Sequence, residues 1–410
     1  MENFYDVVIV GGGPAGFFAA IRCAELNPNL RVLIVEKAHQ PLGKVLVSGG
    51  GRCNVTHACF DPAQLVSFYP RGGAALRGPF TRFQPADTVE WFERRGVKLK
   101  TEADKRIFPV TDSSKTIADC LRNAASAAGV EVRLGTRMQR VEMEKAEGGF
   151  RLEVATAATG SVIHAQKLLI ATGSDSVTRE IVQALGHTIE TPVPSLFTFN
   201  ITDARLEGLA GLSVDSVTVK MEGQTQRGPL LVTHWGLSGP AVLKLSAWGA
   251  RILFEKNYRA TLTVNWLGEM SAEKAFEVLH KHKYWPENVR KKALTKAPFT
   301  QLPARLWKQL AEPIIGEKSW GAVSNADMRK LAAELTAGEF AISGKGQFKE
   351  EFVTCGGVRL TEVDFKTMQS RIVDNLFFAG EVLDIDGVTG GFNFQSSWTT
   401  GWLAGSALAA

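Results

Sequence analysis

Hydrophobic and polar positions at the start of the chain switch from one period to another and back. Residues 6–10 (DVVIV) form a short β-branched apolar run, the pattern of a strand covered on both faces of a parallel sheet. A glycine turn follows. Apolar residues then fall on one side of a helix through 17–26, and a second apolar run occupies 31–35 (RVLIV). Strand, helix and strand in that order predict a βαβ unit with a right-handed crossover. Helical spacing returns at 85–95 and 116–128. Strand-like runs lie at 97–101, 130–134, 150–154, 162–165 and 167–171. Roughly the first 175 residues therefore predict an α/β layer structure with a β-rich annex.

The pattern changes after Pro192 and Pro194. Residues 196–266 are strand-like without βα alternation. Residues 271–336 are helical, broken by prolines at 286, 298, 303 and 313. From Phe352 the α/β character returns, and the chain ends in a strand (NLFFAG), a glycine-rich loop and a helix of small residues. These shifts predict a discontinuous α/β domain of residues 1–191 and 343–410, interrupted by a β-rich domain at 192–268 and a helical domain at 269–342.

Glycines mark the candidate chemistry. The run GGGPAG at 11–16 lies between a predicted strand and a predicted helix. Gly11 permits the tight turn, Gly13 lets the backbone approach a pyrophosphate, and Gly16 lets the helix pack closely on the strand. Pro14 and Ala15 open that helix, whose free N–H groups and partial positive charge suit phosphate. Glu36 ends the second strand twenty residues past Gly16, where a carboxylate accepts hydrogen bonds from a ribose hydroxyl. The combination predicts a dinucleotide-binding fold.

Two further elements favour FAD over NAD. A strand at 168–171 runs into Thr172 and Gly173 (ATG), and a C-terminal strand runs into Gly380 and Glu381 (AGE). Flavoproteins with two dinucleotide-binding folds are similar: ATG follows a late strand, and an acid after Ala-Gly reaches the ribityl chain. The loop at 387–395, with Gly391, Phe392 and Asn393, precedes the last helix. Its amides could face the flavin pyrimidine, where negative charge builds up on reduction.

Composition narrows the class without changing it. The chain has 410 residues, 45% of them hydrophobic and 22% charged, which suits a globular protein of two or three domains. A net charge of +5 does not suggest dedication to nucleic acid. Five cysteines without a CxxC pair argue against a disulfide framework or a structural zinc site, and so for a reducing compartment. No metal is expected. The sequence shows neither a signal peptide nor an apolar stretch of roughly 18 residues, so a cytoplasmic protein without a membrane segment is expected.

Three segments together narrow the family: GKVLVSGGGRCN at 43–54, THWGLSGPA at 233–241 and GEVLDIDG at 380–387. They resemble the YhiN/BaiN-type flavoproteins, some labelled aminoacetone-oxidase-like, and the resemblance covers essentially the whole chain. It implies a Rossmann-like FAD domain of the two-dinucleotide-binding, glutathione-reductase type, carrying an inserted β-rich domain and a helical domain. It also implies flavin contacts at Ala15, Glu36, Lys37, Lys44, Gly51, Asn54, Glu381 and Asn393. Met138 takes the strand position whose backbone meets the adenine. Arg52 and Lys44 are read as facing phosphate or the flavin ring. Cys355, before Gly356 and Gly357, departs from the Thr-x-Gly-Gly or Ala-Gly-Gly pattern expected there.

Catalytic side chains are less legible. His234, between Thr233 and Trp235, reads either as a substrate-binding or proton-relaying group over the flavin or as a hydrogen-bonded histidine of the β-rich part. Cys53 reads as a small buried side chain rather than a reactive thiol, although Cys59 follows at C-x5-C spacing. The stretch 280–308 is rich in Lys, Arg and His, with aromatics at Tyr284, Trp285, Phe299 and Trp307, and reads as a solvated helical face. No second GxGxxG suggests a nicotinamide domain. The expectation is an FAD-dependent oxidoreductase that exchanges hydride with a small organic substrate, with NAD(P)H as a candidate transient reductant. The alternative is an FAD-containing RNA-modifying or RNA-binding protein that docks nucleic acid through Arg290, Lys291 and Lys292.

Overall fold

The structure, a computed structural model, describes residues 3–144, 148–284, 297–316, 318–346 and 353–410. The chain forms two compact units, Met1–Pro192 with Thr354–Ala410 and Val193–Val353. The first opens as its apolar runs dictate. Strand β1 (Phe4–Val10) leads into helix α1 (Pro14–Leu26) and strand β2 (Val32–Val35), and the two strands pair in parallel from Val7↔Val32 to Val10↔Val35. All four residues of β2 are buried, as expected of a strand covered on both faces. Pro14 sits at the first helical position, where its missing N–H costs nothing.

The central sheet of this unit has nine strands. Parallel pairing runs from Glu131–Arg133 through β2, β1 and Gly160–Ile170 to the C-terminal strand Leu376–Phe378. The runs at 162–165 and 167–171 turn out to be one strand, Gly160–Ile170. Its first half pairs antiparallel with Phe150–Ala155 at the edge, while its last residues lie parallel between β1 and Leu376–Phe378. The change from half-exposed to fully buried surroundings is what breaks the hydrophobic pattern in two. A small sheet of Thr56–His57, Arg106–Pro109 and Leu99–Thr101 stands apart.

The C-terminal helix Phe392–Leu408 lies against α1 at backbone distance. A Cβ added at Gly401 would meet the Ala15 carbonyl oxygen at 2.6 Å, and one at Gly405 would meet that of Ala19 at 2.4 Å. Two glycines one turn apart thus let the last helix of the chain press on the first.

The second unit is built on a seven-stranded sheet whose pairs are all antiparallel. Expected as a β-rich domain followed by a helical one, it has a single core. Leu262 and Phe340 of the strands are buried with Leu279, Trp307 and Leu331 of the helices in one cluster. The reason is pairing: Gly338–Ile342, beyond the helices, lies beside Ala260–Asn265, before them. The stretch read as strand-like through 266 also holds two helices, Pro240–Trp248 and Ala250–Glu255. Pro240 at the helix start and the apolar face of Ala241, Val242 and Leu245 account for the first. Trp285, Arg290, Lys291 and Lys292 of the basic stretch lie outside the described residues. Among the described residues no helix is long and apolar enough to cross a membrane.

Candidate functional site

The turn between β1 and α1 separates glycines that the protein itself requires from one that it does not. Gly11 has φ +115°, and a Cβ there would lie 2.4 Å from the Ala171 carbonyl oxygen. At Gly16 a Cβ would lie 2.0 Å from the Gly11 oxygen, and at Gly12 2.9 Å from Glu36 Cβ. Gly13 is different. Its backbone is extended (φ −89°, ψ −173°), and no atom comes within 4 Å of an added Cβ. Nothing inside the protein demands glycine there, whereas close approach of a pyrophosphate to the helix N-terminus does.

Glu36 is held in place at the end of β2. Its Oε2 accepts from the Gly12 N–H and its Oε1 from the Ala38 N–H, each at 2.7 Å. Each oxygen keeps further acceptor capacity for a ribose hydroxyl. The Thr136 N–H donates to the Glu36 carbonyl (2.9 Å) and the Gly135 N–H to that of Ala38 (3.0 Å). These bonds bring the start of Arg137–Met143, with buried Met138, beside the same strand end.

Three distant segments meet near the start of α1. Gly380 (φ +77°) fits against Ala15, whose Cβ would lie 2.9 Å from a Cβ at Gly380, and its N–H donates to Thr400 Oγ1 (2.9 Å). Glu381 pairs with Lys44 from helix α2 (Gly43–Gly51). A Cβ at Gly173 would lie 3.6 Å from Glu381 Oε2 and 3.8 Å from Lys44 Nζ. The neighbouring Thr172 Oγ1 is buried and has no hydrogen-bond partner. Lys37 pairs with Asp175 at 2.5 Å, just past the same strand.

The glycine run at 49–51 leaves the helical conformation. Gly49, Gly50 and Gly51 have φ of +57°, +68° and +84°, and nothing lies within 4 Å of a Cβ added at Gly50 or Gly51. The Asn54 amide accepts from the Gly391 N–H (2.9 Å) and donates to the Thr56 carbonyl (3.0 Å), which ties this run to the C-terminal glycine loop. Arg52 turns elsewhere. Its guanidinium pairs with Glu102 (2.7 Å) and Asp112 (3.5 Å) and lies 4.1 Å above the Phe108 ring. Asn393 closes the loop on itself, accepting from the Gly387 N–H and donating to the Gly387 carbonyl, both at 2.8 Å. Phe392 is buried in a three-ring cluster with Phe68 (4.3 Å) and His57 (4.7 Å), which are themselves 5.7 Å apart.

Sequence reasoning missed Phe68, Tyr69, Arg71 and His57, and it placed Gln395 in the C-terminal loop without its partners. Gln395 Oε1 accepts from Thr56 Oγ1 (2.6 Å) and Thr88 Oγ1 (2.9 Å), all three residues being fully buried. No local pattern announces such partners, since the segments that meet are roughly 300 residues apart. His234 stands exposed in the tight turn between Gln224–Thr233 and Gly236–Ser238 of the second unit, beside exposed Trp235.

None of the five cysteines forms a disulfide. Burial pushes the Cys53 thiol up to about 12, against a weaker opposing hydrogen bond with Ser48. It therefore stays protonated, and unreactive as a nucleophile, throughout the physiological range. Iodoacetamide at pH 8 is expected to label Cys53 in the native protein at least tenfold more slowly than in urea, as read by peptide mass spectrometry. Equal rates would show that this thiol is accessible.

An open backbone position at a helix N-terminus, an acid at the end of β2 and an orphaned buried hydroxyl between two converging strand ends suit a bound dinucleotide. Known proteins agree. The ribosomal RNA dihydrouridine synthase of Escherichia coli is 30% identical over 422 residues, covering 100% of this chain and 99% of that protein. The 3-dehydro-bile acid delta(4,6)-reductase of Clostridium scindens is 26% identical, with 98% of each chain covered. Among solved structures, a 3-ketosteroid-delta4-(5alpha)-dehydrogenase from Rhodococcus jostii shares the fold at a TM-score of 0.54 and 16% identity, with 100% of this chain and 97% of that one covered. The family description "HI0933-like protein Rossmann domain" matches residues 5–407. The chain belongs to that family, the YhiN/BaiN-type FAD-dependent oxidoreductases, and is a flavin-dependent enzyme.

Proposed function

We propose that this enzyme takes hydride from NAD(P)H onto its FAD and passes it to one carbon of a carbon–carbon double bond conjugated to a carbonyl in a small organic substrate, the other carbon taking a proton from water. The observation that carries the FAD assignment is the meeting of Gly173, Glu381 and Lys44 at the start of α1, which makes one cradle from both ends of the chain. The substrate class is suggested by the relatives. One is named for reducing a delta(4,6) unsaturation, the other for making dihydrouridine, which is uridine reduced across a double bond conjugated to a carbonyl.

When bound, FAD supplies the two-electron chemistry. The chain's own groups bind and orient it. Glu36 takes the adenosine ribose hydroxyls. Gly13 and the N–H groups at the start of α1 receive the pyrophosphate, with Lys44 adding positive charge. Glu381 takes the ribityl hydroxyls, and Thr172 Oγ1 finds its partner there. Lys37 steadies the strand end through Asp175. Gly51 and Asn54 line the ring, and Met138 backs the adenine. Within the loop at 387–391, the Thr389 and Gly390 N–H groups are offered to the pyrimidine edge, where they stabilise the negative charge gained on reduction.

An anaerobic titration tests this reading. Bleaching of the visible flavin bands by NADH or NADPH, then their recovery on adding a cyclic enone, is the expected result. Bleaching reversed by a ribosomal RNA transcript and not by enones would move the substrate to RNA. Protein that stays colourless after incubation with FAD would overturn the assignment.

A further inference from the structure

Residues 68–72 grip the C-terminal glycine loop at five points. The Val388 N–H donates to the Phe68 carbonyl (2.9 Å). The hydroxyl of buried Tyr69 donates to the Phe392 carbonyl (2.6 Å). The Phe68 ring stacks on Phe392 with an interplanar angle of 11°. Arg71 and Asp386 form a backbone bridge, and the Arg71 guanidinium engages both carboxylate oxygens of Asp386 through Nε and Nη2. Gly72 (φ +79°) fits against Ile385, whose Cγ1 would lie 2.5 Å from an added Cβ.

The ion pair is the strongest of these. Asp386 is wholly buried, and a carboxylate in that position persists only when paired and hydrogen-bonded. The planar fork of arginine sets both the distance and the rotation of the carboxylate, which a lysine ammonium does not. The two charges sum to zero, so the pair adds no net charge to its neighbourhood. What it does is fix one end of a loop whose other end is fixed by Asn393 and by the bond from Gly391 to Asn54.

We propose that Arg71, through Asp386 and with Tyr69, is a positioning residue that aims the Thr389 and Gly390 N–H groups, between the internally bonded Val388 and Gly391, at the flavin pyrimidine and thereby sets the reduction potential of the bound FAD. This rests on the reading that the loop faces that edge. Donors preorganised toward developing charge stabilise it more than donors that must first reorient. Loosening the loop therefore lowers the potential. A tenfold weaker preference for the reduced form corresponds to about 30 mV for a two-electron couple.

The test uses the full-length holoprotein reconstituted with FAD carrying carbon-13 at C2. The infrared C2=O band reports hydrogen bonding at the pyrimidine edge, and reference dyes report the potential. In the wild type the band is expected below that of free FAD. Arg71→Met and Asp386→Asn should each move it toward the free value and lower the potential roughly tenfold in equilibrium terms. The double variant should do no more than either single one. Arg71→Lys should restore part of the shift, and Tyr69→Phe should give a smaller change of the same sign. A lowered wild-type band that stays fixed, with unchanged potential, in Arg71→Lys and Tyr69→Phe overturns the proposal, whether or not Arg71→Met folds. A wild-type band equal to that of free FAD overturns instead the reading that the loop faces the pyrimidine.

Discussion

Gly13→Val is expected to give a folded protein that takes up no FAD. The extended backbone at Gly13 is open to any residue, and no atom lies within 4 Å of an added Cβ. The isopropyl group therefore meets no protein atom at its first carbon. Stability should fall by no more than about 1 kcal/mol, the cost of a poor N-cap residue at the start of α1. The same group fills the space a pyrophosphate needs above the helix N-terminus. Affinity for FAD should fall at least about a hundredfold, or roughly 2.8 kcal/mol. Flavin released by heat denaturation measures the loss, and thermal melts of both proteins stripped of flavin measure the fold. Normal flavin content in Gly13→Val would remove the phosphate from this turn. Gly16→Ala is the contrasting case. There the Cβ would lie 2.0 Å from the Gly11 oxygen, so the βαβ unit itself must distort.

Gly401→Val should cost the protein its stability and its flavin together. The Cβ would lie 2.6 Å from the Ala15 carbonyl oxygen, inside α1 and one residue from the GGGPAG glycines. Gly405, one turn on, leaves no slack, since a Cβ there would already meet the Ala19 oxygen at 2.4 Å. The two helices can accept a side chain only by separating. Overpacking of a tight core costs about 1–3 kcal/mol. For a unit of this size that lowers the melting temperature by roughly 2–10 °C. Because Gly380 and Ala15 share this contact, the Ala-Gly-Glu strand end shifts too, and flavin content should fall with the melting temperature. An unchanged melting temperature would mean that the helices lie further apart than described.

Particular residues show which parts of this architecture local pattern can carry. The run at 6–10 became β1 and the run at 31–35 became β2 because four consecutive apolar, mostly β-branched residues suit a strand buried on both faces. The strand ends at Thr172 and Glu381 were legible for the same reason. The helices within 240–255 were not. Their apolar residues also fit a strand, and the helix-start signal of Pro240 was not weighed against that pattern. The single core of the second unit was hidden because Ala260–Asn265 and Gly338–Ile342 pair across some 70 intervening residues. Arg52 reads as facing phosphate or the flavin ring beside three glycines. Its turn toward Glu102 and Asp112 depends on a small sheet that the sequence does not announce.

By itself the sequence determined the βαβ entry, the acid at the end of β2, the two strand ends that carry Gly173 and Glu381, and the family. Those features rest on period, on glycine at positions of forced backbone geometry, and on short spacings, all of which are local. Only the tertiary structure decided that Gly380 would seat on Ala15, that Lys44 would meet Glu381, and that Arg71 would hold Asp386 from 315 residues away. Such contacts depend on where a twisted sheet brings its strand ends together, and no run of neighbouring residues encodes that.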